Sequence, residues 1–410
     1  MQPDANNPPS DSESSPIEVR VGDEPWRRAL PGPGEPFEPQ HAEALVRLED
    51  LARTLSGQCQ YAAAEPIVRQ VLETRRQAQG AEHPDTLASL NDLAMLLERK
   101  GDLAGAERRY REALEARQRV LGPEHPDTLT SRNNLAMLLH SQRNDAAAGP
   151  MLRTALEARE RVLGPEHPDT LTSVGNLAIW LEAQRDFAAA EPLYRRALET
   201  SERVLGAEHP DTLSAASNLG MYWLTRWNYA AAEPLLRRAL AGRERVLGPD
   251  HPDTLTSVNN LAMLLEGSGS FTQAEPLYRR ALESSERVLG PEHPDTLTSV
   301  NNLALSHLSR LDYKAAEPLL RRVLEARRRV LGSDHPDTLA SAVSLAASLD
   351  QTGDHAAAEA LYREAHTGLS ERLGPEHLDA RLCLNSWQRC QESLAASGRS
   401  RRKWWQVWRR

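Results

Sequence analysis

The sequence predicts an all-α solenoid of antiparallel helix pairs stacked in one line, and three observations predict it. The pentapeptide His-Pro-Asp-Thr-Leu begins at His83, His125, His167, His209, His251, His293 and His335, 42 residues apart each time with no insertion. Apolar residues recur at helical spacing in two stretches of every unit. One glycine closes the second stretch at a fixed register: Gly80, Gly122, Gly164, Gly206, Gly248, Gly290, Gly332 and Gly374. A fixed period of this size marks a repeat architecture, in which each unit buries its apolar face against its neighbours.

Weaker copies of the turn at His41 and His377 extend the array to eight complete units over 41–376 and part of a ninth. The unit starting at His251 shows the elements in order. Pro252 and Asp253 suit a first helical turn: proline loses no hydrogen bond there, and the carboxylate meets the positive end of the helix dipole. Leu255, Val258, Leu261, Ala262 and Leu265 then form one apolar face. Gly267-Ser268-Gly269-Ser270 breaks the chain. Phe271, Ala274, Leu277, Tyr278, Ala281 and Leu282 form the second face, and Gly290 with Pro291 ends it.

Asp102, Asn144, Asp186, Asn228, Ser270, Asp312 and Asp354 precede the second helices, each with an oxygen able to cap free backbone N–H groups. Ala64, Ala106, Ala148, Ala190, Ala232, Ala274, Ala316 and Ala358 share one register, where a methyl lets two helices approach closely. Pro66, Pro150, Pro192, Pro234, Pro276 and Pro318 fall about one turn inside the second helices, which predicts either a kink or a tightened first turn.

The flanks differ from the array. Residues 1–40 hold nine prolines among Ser, Asp and Glu and are expected to be disordered. Residues 377–397 read as a last amphipathic helix, with Leu384, Trp387 and Leu394 turned to the eighth unit as the cap a solenoid needs. Residues 398–410 are a basic, Trp-rich tail.

Composition excludes several classes of function. A net charge of −9 argues against nucleic-acid binding, which wants a basic face. Cys59, Cys383 and Cys390 form no CxxC pair, so neither a disulfide framework nor a zinc site is expected, and a reducing, cytoplasmic setting is. The repeated histidines are spread one per unit rather than gathered round a metal, and read as helix starts. HExxH, a P-loop, GxGxxG and a nucleophile elbow are all missing, so no catalysis and no cofactor are expected.

The order Leu261-Ala262, Gly269, Ala274, Tyr278, Ala281 resembles the tetratricopeptide repeat. The 42-residue period, with His-Pro-Asp, Asn-Asn-Leu-Ala, Ala-Glu-Pro-Leu-Tyr-Arg-Arg-Ala-Leu and Arg-Val-Leu-Gly-Pro, resembles its kinesin-light-chain-like subclass over about 41–376. The resemblance implies a right-handed superhelix of helix pairs with a concave peptide-binding face, and a role as an adaptor or scaffold. It does not imply a motor: 1–40 lacks the heptads that would bind a heavy chain. The corner glycine of the pattern is kept at Gly101, Gly269 and Gly353 but is Arg143, Arg185, Trp227 and Leu311 elsewhere, which predicts a looser corner in those units.

Three registers on the first helices project away from the core stripe. One holds Asn91, Asn133, Asn259 and Asn301; the next Asn134, Asn176, Asn218, Asn260 and Asn302; the third Met95, Met137, Ile179, Met221, Met263 and Leu305. A side-chain amide offers donor and acceptor together and so matches a peptide backbone without reading its sequence. Methionine suits surfaces that take varied apolar side chains. With repeats on the order of 10 Å apart and an extended chain advancing about 3.3 Å per residue, each unit would meet roughly every third residue of an extended segment of a partner protein. The resemblance assigns concave-face asparagines that role. The same residues could instead brace the stack, the amides between helices and the methionines between repeats. Glu98, Glu182, Glu266 and Asp350 read as an acidic rim, which predicts a neutral or basic apolar ligand.

In the tail, Arg401, Arg402 and Lys403 flank Trp404, Trp405 and Trp408, a composition that favours anionic membrane surfaces. A peripheral membrane platform is therefore the alternative function. An unstructured overhang, or docking onto the acidic solenoid, would explain the tail equally.

Overall fold

A computed structural model describes residues 39–57 and 60–408, with the side chains of residues 39–40, 373 and 396–408 outside the description. The expected disordered segment 1–40 falls almost wholly outside the described residues, as does Cys59. Among them there are seventeen helices and no strand. Sixteen form eight consecutive pairs: α1 (Pro39–Gly57) with α2 (Tyr61–Gln79), α3 (Pro84–Lys100) with α4 (Leu103–Val120), α5 (Pro126–Ser141) with α6 (Asp145–Val162), and α7 (Pro168–Ala183) with α8 (Phe187–Leu205). Then follow α9 (Pro210–Thr225) with α10 (Tyr229–Leu247), α11 (Pro252–Gly267) with α12 (Phe271–Leu289), α13 (Pro294–Ser309) with α14 (Tyr313–Val330), and α15 (Pro336–Thr352) with α16 (His355–Leu373). The last helix, α17 (Leu378–Trp408), continues past the end expected at 397. No described helix is long and apolar enough to cross a membrane.

Each helix packs on the next in chain order, as a solenoid requires. The histidine of each of the seven His-Pro-Asp-Thr-Leu turns is an N-cap: His251 Nδ1, for example, accepts from the Asp253 backbone N–H at 3.2 Å, whereas His41, the weaker copy, lies inside α1. At the second helices Asp102, Asp186, Asn228, Asp312 and Asp354 cap through their side chains, whereas Asn144 and Ser270 do not. All eight alanines of the predicted close-approach register are fully buried. The helices run on through their internal prolines.

The corners correct one expectation. Arg143, Arg185, Trp227 and Leu311 are not loosened; each adopts the left-handed conformation, at φ 62°, 61°, 58° and 61°. Two backbone bonds hold the turn in either case: Gly101 N–H to Glu98 O at 2.9 Å and Asp102 N–H to Leu97 O at 2.8 Å, and likewise Trp227 N–H to Leu224 O and Asn228 N–H to Trp223 O, both at 2.9 Å. The strain of an L-residue there, about 1–2 kcal/mol, is borne rather than relieved.

Candidate functional site

First helices pack directly on the first helices of the next unit, α5 on α7, α7 on α9, α9 on α11 and α11 on α13. They form the inner layer of the coil. On α11 the residues Asp253, Thr256, Asn260 and Met263 follow one another at steps of three and four, so they share one helix face. The structure brings the second and third predicted registers together on that face. Asn134, Asn176, Asn218, Asn260 and Asn302 are half-buried, as are Met137, Ile179 and Met221, while Met95, Met263 and Leu305 are exposed.

The first register lies elsewhere. Asn91, Asn133 and Asn259 are buried and Asn301 half-buried, in the seam between units. Neighbouring residues of a helix point about 100° apart, so Asn133 and Asn134 cannot both face the wall. Asn91 and Asn133 accept from Ser131 and Ser173 of the following unit, both at 3.4 Å, and Asn259 donates to Ser299 at 3.0 Å. Behind the serines stand arginines. Arg117 Nη1 donates to Ser131 at 2.8 Å and to Asp127 O at 2.9 Å; Arg159 and Arg243 repeat the pattern on Ser173 and Ser257. Burial pushes the pKa of all three guanidiniums down. Sequence reading missed this polar spine. Its one signal is that the serine follows the asparagine: both are lost at Gly175 and Ala215, whereas at Ser285 and Ser299 the arginine is lost and the serine kept.

The acidic rim also changes. Glu98, Glu182 and Glu266 accept from the hydroxyls of Tyr110, Tyr194 and Tyr278 at 2.8, 2.7 and 2.9 Å, which ties them between paired helices. Burial raises the pKa of Glu98 despite that bond, and burial beside the carboxylates raises those of the three phenols. The wall's acids are instead the helix-start aspartates Asp85, Asp127, Asp169, Asp211, Asp253, Asp295 and Asp337, one in each unit from the second to the eighth, on the face that carries the asparagines. Asp92 takes the asparagine's place in the second unit, and burial raises its pKa too.

The coil touches itself. His293 Nε2 meets the Arg99 carbonyl oxygen, the Tyr61 ring stacks on His293 with centroids 6.1 Å apart, and Arg99 lies 3.9 Å from Asp253. Pro294 sits so close to Gly101 that an added Cβ would come within 2.8 Å of its Cδ. Val288 and Leu289 pack against the core of the first pair. One unit further on, Arg143 of the third unit acts electrostatically on His335 of the eighth. The corner edge of one turn therefore meets the helix-start edge of the next, between four and five units later. The inner wall is a bore closed along that seam rather than an open trough. A cavity of about 500 Å³ opens there, lined by Tyr61, Asp92, Met95 and Arg99 on one side and Pro210 and His251 on the other.

Burial pushes the Cys383 thiol up to about 11 and the Cys390 thiol up to about 12, so neither is a ready nucleophile. One group of metal-type donors, Asp350, His355 and Cys390, lies at the C-terminal end of the coil, away from the wall. Arg401, Arg402, Lys403, Trp404, Trp405 and Trp408 fall on the last turns of α17, and their side chains lie outside the described residues.

Tetratricopeptide repeat models match residues 133–202, 175–227, 258–329 and 300–371, and, in a second form, 45–85, 86–127 and 212–253. No match is found among curated proteins. Among solved structures, BtubC (BKLC) from P. vanneervenii is 24% identical over 57% of this chain and 92% of its own, with a TM-score of 0.45. A putative kinesin light chain of Podosopora anserina with nearly identical TPR-like repeats is 24% identical over 50% and 97%, with a TM-score of 0.40. Rap protein complexed with Competence and Sporulation Factor is 14% identical over 86% of this chain and 99% of its own, with a TM-score of 0.53, a likeness of fold.

Proposed function

We propose that this chain, which belongs to the tetratricopeptide repeat family, is a non-catalytic scaffold whose inner wall holds an extended segment of a partner protein. Tetratricopeptide repeats are generally protein–protein interaction modules. The observation that carries the finer reading is the ladder itself. Asn134, Asn176, Asn218, Asn260 and Asn302 recur once per unit beside Met137, Ile179, Met221, Met263 and Leu305, with part of each side chain left to solvent. Asn260 donates to Ser217 of the preceding unit at 3.3 Å and still leaves part of its side chain to solvent, so bracing the stack does not use up the amide. One aspartate in each unit from the second to the eighth, on the same face, favours a neutral or basic apolar segment. The closed seam means that such a segment enters from an end of the bore or after the turns part. The buried free thiols Cys383 and Cys390 suit a reducing, cytoplasmic setting.

The test is selection from a displayed peptide library, followed by binding to the Asn260→Ala/Asn302→Ala variant. The reading predicts neutral or basic apolar winners whose affinity falls at least about tenfold, roughly 1.4 kcal/mol, in the variant. Winners that are strongly acidic, or that bind the variant unchanged, would contradict it.

A further inference from the structure

We infer that the C-terminal end of the solenoid carries a divalent-metal site, with Asp350, His355 and Cys390 as ligands and zinc as the metal their donor set fits. Asp350 lies near the end of α15, His355 opens α16 and Cys390 comes from the middle of α17, so the site ties the eighth unit to the cap. Asp350 Oδ1 and His355 Nδ1 are 2.7 Å apart, and one donor atom from each of the three residues lies within 4.8 Å of the other two. Zinc takes nitrogen, oxygen and sulfur at roughly 2.0–2.3 Å in a tetrahedron, which sets ligand atoms roughly 3–4 Å from each other. Small rotations of these side chains reach that spacing. A cavity of about 560 Å³ lined by Asp350, Tyr362, Gln351 and Arg389 adjoins the group on the Asp350 side, and a water is the fourth ligand the proposal requires.

The repeats themselves separate a metal site from ordinary packing. At the register of Cys390, side chains of several units donate to a carbonyl at the start of the preceding second helix. Trp180 bonds Asp145 O at 3.3 Å, Tyr222 bonds Phe187 O at 3.3 Å, Ser348 bonds Tyr313 O at 3.4 Å and Cys390 bonds His355 O at 3.4 Å. That bond is structural and common to them. The histidine–aspartate pair is not unique either, because His140 and Asp145 form it with the residues exchanged, at 2.5 Å. In that unit the residue above the pair is the indole of Trp180, which cannot ligate. Only at the C-terminal end does a thiol stand over the pair, and only that group qualifies among the described residues.

Loading replaces the Asp350–His355 hydrogen bond by two bonds to the metal. The imidazole proton passes through solvent from His355 Nδ1 to Nε2, Cys390 gives its proton to solvent as the sulfur–metal bond forms, and no electron is exchanged. The three donors come from separate helices, 5 and 35 residues apart, so no spacing motif announces them in the sequence.

The test uses the reduced full-length chain without a histidine tag, stripped of metal by chelator. Cobalt(II) is added and the thiolate-to-cobalt charge-transfer band is followed in the near ultraviolet. Zinc retained after gel filtration is then counted by elemental analysis. We expect the band, one zinc per chain, and a raised melting midpoint with zinc. Cys390→Ser and His355→Asn should lose all three, while Cys383→Ser and His140→Asn keep them. Should Cys390→Ser fail to fold, the wild-type band and His355→Asn decide. A wild-type chain that shows no charge-transfer band, or variants at Cys390 and His355 that retain zinc undiminished, would overturn the proposal.

Discussion

The His-Pro-Asp-Thr-Leu turn has one local structure and two surroundings. At His83, His125, His167 and His209 the capping imidazole keeps 40–41% of its side-chain surface in solvent. At His293 and His335 it keeps 8% and 10%, because the corners of the first three units come round beneath them. Identical sequence thus gives an open helix start early in the chain and a joint between turns later. The pentapeptide decides the cap; what the next turn of the coil presents decides whether that cap is buried.

The sharpest way to break this contrast is at the corner glycines. Gly101→Ala and Gly269→Ala both force an L-residue to positive φ, 92° and 83°, for about 1 kcal/mol each. Only Gly101 has Pro294 against it, while nothing lies within 4 Å of the site for Gly269. Gly101→Ala is therefore expected to cost roughly 1–3 kcal/mol more, from overpacking. It should also lower the sedimentation coefficient as the turns part. Equal loss in denaturant melts would count against the seam.

The spine offers the next comparison. Arg159→Ser leaves Asp169 O and Ser173 short of a buried donor and is expected to lower stability by about 2 kcal/mol. Adding Asn133→Gly and Ser173→Ala should recover part of that, since the chain already sets Gly175 and Ser201 against Ala215 at these registers. A triple variant no better than Arg159→Ser would show that the three side chains do not act together.

A smaller effect of opposite sign is expected at Arg132. Its register holds Leu90, Val174, Ala216, Val258, Val300 and Ala342 in the other units, and burial pushes its pKa down. Arg132→Val should raise stability by about 1 kcal/mol, read as a higher melting midpoint; a fall would mean the cation has a task in the fold.

The smallest effect is a pH dependence of the seam. Burial first, then Arg372, Arg327 and Arg143, holds the His335 pKa below its ordinary 6.5, with Asp337 opposing. The folded chain favours the neutral ring, so this contribution is present above pH 6.5 and is lost as pH falls through the folded-state value. His335→Asn keeps a capping side chain and removes the proton site. Its melting midpoint should fall less than wild type's between pH 7.5 and 5.5. Parallel curves would remove His335 from the account.

These cases also show what the sequence made legible. The period, helix starts, closing glycines and buried alanines were readable because each depends on contacts inside one unit or with the next, which the 42-residue register repeats. The corner conformation at Arg143, Arg185, Trp227 and Leu311 is not legible from side-chain identity, because two backbone bonds fix the turn whichever residue stands there. Of the three wall registers, the one holding Asn133 turned out to be a brace; telling it from the Asn134 register needed the rotation of α5 against its neighbours. The seam was illegible for another reason: it depends on small rotations summed over four to five units, and no single unit encodes it.

The central claim is that adjacent asparagines have different tasks, and one paired measurement tests it directly. Affinity for a selected peptide and the melting midpoint are recorded for Asn133→Ala and Asn134→Ala. The account predicts that Asn134→Ala weakens the peptide while melting near wild type, and that Asn133→Ala melts earlier with affinity kept. Peptide binding lost through Asn133 and untouched through Asn134 would contradict it.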